Sequence, residues 1–382
     1  MRFRKSKPPT FGSLLHAMTR FGRAPLRRGV RHSGADRYVK KHRSVEFALA
    51  LVSYYLLGLT SVRQLKTRLD CDRHLRRHVQ LERISHAQLP KLLSRRPSAL
   101  WAPLITALLS RLSTQRVPSC LRIMDTSFFA MSVKLFSRCH GRPFAPEAAG
   151  VKLGMVLDPH NGAPLEWDCR VGQNNDVVHL ESLVPPDAPI AGLTYLFDRG
   201  FRKYEFFQSL MDRGADFITR ATGQISYQVL QARPLDGRHP QIRADAMVHL
   251  GAPTGRAQVS HPIRRIELRT QTETLVFLTS RLDLSALEVT QLYRRRWEIE
   301  VFFRWLKSTI RCHKPLAYSA TAAEHTICAA LVAYLLTVLF AQLQLSRATH
   351  RPTAQIKKAL THLRAELYDR PKLAHLRALG FA

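Results

Sequence analysis

The residues with the clearest chemical grouping lie between Tyr293 and Lys307, in the run YRRRWEIEVFFRWLK. Tyr293, Arg296, Glu300 and Lys307 follow one another at gaps of two, three and six residues. On a helix turning about 100° per residue, with Tyr293 at zero, Arg296 falls near about 300°, Glu300 near about 340° and Lys307 near about 320°. Four polar side chains therefore share one narrow face. The neighbouring arc carries Leu292, Ile299, Phe302 and Leu306, an apolar stripe that would seat the helix on a core. One carboxylate among Arg296, Arg304 and Lys307 suits a site that takes a metal ion and an anionic substrate together. A solvated basic face is the plainer reading of the same composition, and the spacing argues against it.

The pattern Tyr-x2-Arg-x3-Glu-x6-Lys resembles the signature of bacterial insertion-sequence transposases of the DDE class, the group typified by insertion sequence four. All four positions match. The resemblance implies that Glu300 is the third of three metal-binding carboxylates. It further implies that Tyr293, Arg296 and Lys307 grip phosphates at the end of a mobile element, with Arg304 and Trp297 as further DNA contacts. Two aspartates are then required upstream.

Both can be found at strand ends. CLRIMDTSFF reads as a strand that turns polar at Asp125, and TYLFDRGF as one that delivers Asp198 before Arg199-Gly200. Between them, VKLGMVLD and APLEWDCRVG read as strands joined by a turn at Asn161-Gly162, followed by a helix from about Asp176. A helix from Lys203 to Asp212 and a strand from Ala215 to Arg220 complete the unit. This order resembles an RNase H-like core of the retroviral-integrase type, in which the first and fourth strands are neighbours. Asp125 and Asp198, set in DTS and DRGF, resemble the first and second carboxylate motifs of the group. Asp158, Glu166, Asp168 and Asp176 compete for the role, but turn formation or helix capping accounts for them without chemistry.

Composition points the same way. Over 382 residues, 59 Lys and Arg against 28 Asp and Glu give a net charge of +31, a large excess that calls for a polyanionic partner. The excess is steepest before Ser119, where 25 basic residues meet 5 acidic ones. Six scattered cysteines (Cys71, Cys120, Cys139, Cys169, Cys312, Cys328) with no CxxC pair fit reduced thiols. The N-terminus shows no apolar signal region. The apolar run from Ile327 to Ala341, about fifteen residues, falls short of the roughly 20 that span a bilayer, so a buried helix is expected and no membrane partner.

The expected layout is α/β to α+β. An all-helical, basic, DNA-binding region covers 1–118, and the catalytic core covers 119–310. A β-rich insertion at 221–284 interrupts that core, and a helical region follows at 311–382. In the first region the initial forty residues are basic with little periodicity. SVEFALALVSYYLLGL then reads as a buried helix from Ser44 stopping near Gly58, and Thr60 or Ser61 caps the next. Short basic helices follow over Asp72 to Gln80 and from Ser85, in an order that resembles a helix-turn-helix-like unit for the inverted repeat. Cys71, His74 and His78 could supply three zinc ligands, but no fourth follows at finger spacing, and a phosphate-facing basic helix explains them better.

The resemblance implies that relatives use the β-rich insertion to hold DNA and a flipped base. No tryptophan falls inside it here, leaving Tyr227 as the candidate stacker. The tail adds an apolar helix near Ile327 to Gln344, which buries against the core or serves a dimer, and a basic helix over Thr353 to Leu367.

The chemistry so implied is metal-dependent cleavage at the inverted repeats of double-stranded DNA, with strand transfer into target DNA. Two Mg²⁺ or Mn²⁺ ions would be held by Asp125, Asp198 and Glu300, since oxygen-only ligands suit hard cations. The resemblance also implies a hairpin intermediate, a homodimer pairing two ends, and action in the bacterial cytoplasm on nucleoid DNA. Two other classes stay open: an RNase H-like nuclease that cuts without joining, and a non-catalytic DNA-binding regulator or decayed element copy.

Overall fold

The computed structural model describes residues 11–81, 84–113, 119–130, 150–159, 163–172, 174–221, 225–251, 259–307, 316–317 and 319–344. Asn161-Gly162, the Thr353 to Leu367 segment, Cys139, Cys312 and the first ten residues lie outside them.

The strands at the centre are apolar runs of alternating destination. β1 (Leu121–Ala130), β2 (Gly150–Asp158) and β3 (Ala163–Val171) form an antiparallel meander. β4 (Thr194–Phe197) and β5 (Asp216–Ala221) then add parallel to β1, with Met124 beside Phe197 and Phe197 beside Thr219. Four further strands continue the same sheet: β6 (Tyr227–Ala232), β7 (Ile242–Leu250), β8 (Ile263–Arg269) and β9 (Thr274–Thr279). The order is β3-β2-β1-β4-β5-β9-β8-β7-β6, and β9 joins antiparallel to β5 through Ile218 beside Thr279. The β-rich stretch thus widens the central sheet, which has nine strands among the described residues.

Because successive strand residues point to opposite faces, the sheet feeds two cores. Ile123, Leu196 and Ile218 pack on one side, and Met124, Phe197 and Phe217 on the other. The second side is covered by α7 (Leu180–Leu183) and α8 (Tyr204–Asp212), where Phe207 stacks on Phe217 with centroids 4.6 Å apart. The first side carries the other α-helices of the described residues. There, α1 (Phe11–Ser33), α2 (Ser44–Leu56), α3 (Val62–Cys71), α4 (Arg73–Val79), α5 (Gln88–Arg95) and α6 (Ala102–Ser113) share one apolar cluster with the later helices α9 (Ala286–Arg294), α10 (Trp297–Trp305) and α11 (Ala320–Gln344).

Local chemistry explains several boundaries. The Ser61 hydroxyl accepts the Gln64 amide at 3.2 Å and caps α3, and Gly58 takes the left-handed conformation (φ 65°) after α2. Asp72 caps α4 by accepting from His74 and Leu75.

Two expectations need correcting. The basic opening is helical from Phe11: Met18, Leu26 and Val30 form a buried stripe that the density of arginines hides. Gly29 lets this helix touch the chain at Leu100, where a Cβ would lie 2.1 Å from the carbonyl oxygen. The apolar C-terminal helix is also longer than fifteen residues. Over Ala320–Leu339 it is long and apolar enough to cross a membrane, yet 94% of that stretch is buried inside the molecule. It packs on α2, α5, α6, β2 and β3, so its apolarity is spent on protein contacts around its whole circumference.

Candidate active site

Parallel pairing of β1 with β4 sets the first two acids. Ile123 lies beside Leu196 and Met124 beside Phe197, so the next residues, Asp125 and Asp198, leave adjacent strands toward the same face as Ile123. β4 ends at this point, and the Asp198 carboxylate accepts the amide of Arg199 at 2.7 Å as the chain turns away. β1 runs on, and the Asp125 carboxylate accepts the Thr126 amide at 2.8 Å.

The Tyr293 to Lys307 segment lies over this face, but not as one uninterrupted α-helix. α9 ends at Arg294 and α10 begins at Trp297; between them Arg295 and Arg296 donate three residues back, to Leu292 and Tyr293. This tighter 3₁₀ turn aims Arg296 at β1. At the far end Leu306 and Lys307 form a wider π-type turn, and Lys307 Nζ lies 4.9 Å from the centroid of Phe129. The expected apolar stripe is in place: Ile299, Phe302 and Leu306 are buried and Leu292 is partly so.

Arg296 is the hub. Its Nη1 donates to Asp125 Oδ2 at 3.0 Å, and its Nη2 pairs with Glu300 Oε1. One guanidinium thus bridges the acid on β1 and the acid on α10. Burial works against its charge, but Tyr293, Asp125, Glu300 and Asp198 hold its pKa above the usual value. Burial pushes the Asp125 carboxyl up to about 7; Arg296 and the Thr126 amide oppose this, while Asp198 and Asp176 add to it.

Tyr293 lies beside Arg296, whose guanidinium carbon is 5.9 Å from its ring centroid, but it is buried there. It is 7% exposed, its ring meets Phe277 edge-on at 5.2 Å, and its buried hydroxyl has no hydrogen-bond partner among the described residues. It lines a cavity of about 560 Å³ with Arg220, Phe277, Thr290, Arg296 and Trp297. Trp297 is 53% exposed, with the Arg304 guanidinium 5.6 Å from its ring. Tyr227 lies on β6, the outermost strand, with the Arg265 guanidinium 4.6 Å over its ring. The aromatic residues that line this cavity are Phe277, Tyr293 and Trp297; Tyr227 does not line it.

The competing acids differ in their surroundings. Asp158 is buried and accepts the Ser119 amide. Burial acts to raise the Asp168 carboxyl, but His179 and Arg170 outweigh it and hold the group below its usual value. Asp176 is not the helix cap; Asn175 is, accepting from Val177. Asp176 instead accepts the Thr126 hydroxyl and pairs with Lys152 at 2.5 Å. Sequence spacing could not find this, because Thr126, Lys152 and Asp176 meet only through strand register.

No three His, Cys, Asp or Glu side chains among the described residues are gathered tightly enough to hold a metal ion. At the Asp125–Glu300 pair the positive charge comes from Arg296. The donor set nonetheless suits a hard divalent cation: it is all carboxylate oxygen, with Asp125 and Glu300 brought to one guanidinium and Asp198 on the adjacent strand.

Residues 121–336, from the first residue of β1 into α11, match the model of the transposase DDE domain. The chain belongs to the DDE transposase family. It is similar to a protein of Sinorhizobium fredii named as a candidate transposase, y4zB, with 27% identity over 65% of this chain and 70% of that one. It is also similar to a protein of Geobacillus stearothermophilus named as a candidate transposase for insertion sequence element IS5377, with 23% identity over 67% of each. In this DDE transposase domain the matched span takes in both sheet aspartates, all four widening strands and the whole Tyr293 to Lys307 segment.

Proposed function

We propose that this DDE transposase cuts double-stranded DNA at the inverted-repeat ends of an insertion sequence of the insertion-sequence-four type and transfers those ends into target DNA. The observation that carries the reading is the meeting of Asp125, Arg296 and Glu300, beside Asp198, over the centre of a sheet ordered 3-2-1-4-5. That strand order, with parallel β1, β4 and β5, supports an RNase H-like core. Asp125, Asp198 and Glu300 would hold two Mg²⁺ or Mn²⁺ ions, which supply activation of a water or 3′-hydroxyl and charge neutralisation at the scissile phosphate.

The chain's own residues do the rest. Arg296 presents a planar fork suited to a phosphodiester. Lys307, on the same face, offers a point charge farther along β1. Trp297 and Arg304 form an exposed stacking pair at the rim of the cavity beneath Tyr293, a place for a base drawn out of the duplex. Basic helices α3 and α4 suit the repeat itself, and two copies of the chain would bring two ends together in the bacterial cytoplasm.

The test is a cleavage assay on supercoiled plasmid carrying the element's own ends, in Mg²⁺ or EDTA, with wild type and Glu300→Ala. Metal-dependent excision lost in the variant is the expected result. Cutting without joining of the ends would favour the nuclease alternative, and binding without cutting under any metal would favour a regulator or decayed copy.

A further inference from the structure

β1 and β4 pair only from Leu121 to Met124, so the strands part company just where each presents its aspartate. Beyond that point β1 keeps its pairing with β2, while the chain after β4 turns away through Arg199–Phe201. Backbone pairing between the strands does not reach across this wedge. Asp176 fills it.

The contacts of Asp176 tie three segments to one carboxylate. Oδ1 accepts the hydroxyl of Thr126, the residue after Asp125, and pairs with Lys152 on β2 at 2.5 Å. Lys152 Nζ also donates to the Asn174 carbonyl at 2.6 Å, which secures the loop that carries Asp176. Oδ2 lies against Gly200, two residues past Asp198, so closely that a Cβ there would sit 1.9 Å from it. An alanine at this position could be accommodated only if Asp176 gave up Thr126 or Lys152.

We infer that Asp176 is a positioning residue: it wedges the ends of β1 and β4 at the separation that lets Asp125 and Asp198 act on one cation. This rests on the metal-binding reading of the two aspartates. Asp176 pairs its charge with Lys152, and beside the repulsion it adds at Asp125 it reaches the two aspartates through the Thr126 hydroxyl and the packing at Gly200. The glycine of the DRGF motif then has a packing cause, since its missing side chain is the space Asp176 occupies.

The experiment uses the full chain and Mn²⁺ as the probe, read by electron paramagnetic resonance without DNA. Asp176→Ala, Asp176→Asn, Gly200→Ala and the double variant with alanine at both positions are compared, with thermal melting of each. Asp176→Ala is expected to weaken Mn²⁺ binding by about 10–100-fold, the range for losing a residue that supports a metal ligand. Asp176→Asn, which can still accept from Thr126, keeps most of the affinity. Gly200→Ala weakens binding alone but adds nothing to Asp176→Ala. Wild-type affinity in Asp176→Ala overturns the inference. So does an Asp176→Asn variant as weak as the alanine one, since Asp176 would then be acting through its own charge. If the wild type itself takes up no Mn²⁺, the metal reading of the site fails separately. The melting temperatures then decide this one, because additive losses from the two single substitutions would mean that Asp176 and Gly200 are not packed as a pair.

Discussion

Arg296 and Asp125 are 171 residues apart in the chain and 3.0 Å apart in space. The same guanidinium holds Glu300, so one arginine joins the acids of strand and helix. A phosphodiester and a divalent cation are together the chemical match for what each side of this contact gives up.

Removing that guanidinium has a directional consequence. Arg296 is the largest influence lowering the Asp125 pKa, against a burial that carries it up to about 7. In Arg296→Gln the Asp125 carboxyl is expected to titrate above that value, which carbon-detected resonance of labelled aspartate would read. Cleavage should fall by roughly 10²–10³, as for other preorganised donors removed from a developing charge. An unchanged Asp125 titration would mean that the two residues do not meet in solution.

With Asp125 as a proposed metal ligand, protons and cations would compete for the same carboxyl. With the Asp125 pKa raised to about 7, the metal-free native state keeps a proton that the unfolded chain, near about 3.9, has released. Its contribution to stability is therefore present below about pH 4 and lost as pH rises through about 7. Mn²⁺ must displace that proton, so its affinity should drop by about tenfold per pH unit below 7 and level off above. Metal titrations from pH 5.5 to 8 check this, and a flat profile would remove Asp125 from the ligand set.

Much of this site was legible in the sequence because its parts are local. Apolar runs ending in Asp125 and Asp198 announce strands that deliver acids, and the Tyr293 to Lys307 spacing announces a face. What could not be read is what the strands and helices do to one another. Arg296 looked like one of several phosphate ligands, and its bond to Asp125 exists only because α10 crosses β1. Tyr293 lies beside Arg296 as its helical angle requires, but its burial against Phe277 of β9 comes from an element whose position no local pattern gives. Asp176 read as a cap because its partners, Thr126 and Lys152, arrive through the β1–β2 register that sets Thr126 beside Gly154 and Phe128 beside Lys152. In α1 the arginine-rich composition masked a narrow buried stripe.

Trp297 is expected to separate binding from folding. It is half-exposed, so Trp297→Ala should change stability by no more than about 0.5 kcal/mol. If it stacks on a displaced base, its loss costs about 1–3 kcal/mol, or roughly 5- to 150-fold in affinity for end DNA. Fluorescence anisotropy with duplex ends, set beside melting curves, distinguishes the two. A melting loss with unchanged DNA affinity would make Trp297 a packing residue.

His325 predicts an acid-side loss of stability far from the carboxylates. It is fully buried in α11, where Nδ1 accepts the indole N–H of Trp101 at 2.7 Å and Nε2 lies 2.9 Å from the Arg96 carbonyl. That pattern requires the neutral ring with its proton on Nε2, because a proton on Nδ1 would face the indole N–H. Burial lowers its pKa to about 4, with the Arg96 carbonyl opposing. The unfolded chain, near about 6.5, binds the proton first, so stability is full above about pH 6.5 and is lost as pH falls toward 4. The difference of about 2.5 pH units corresponds to a loss on the order of 3 kcal/mol. Urea melts at pH 7 and pH 4.5 should show this in the wild type and a smaller drop in His325→Gln, whose amide can accept from Trp101 and donate to Arg96 without titrating. Equal drops in both proteins would place the acid sensitivity elsewhere in the molecule.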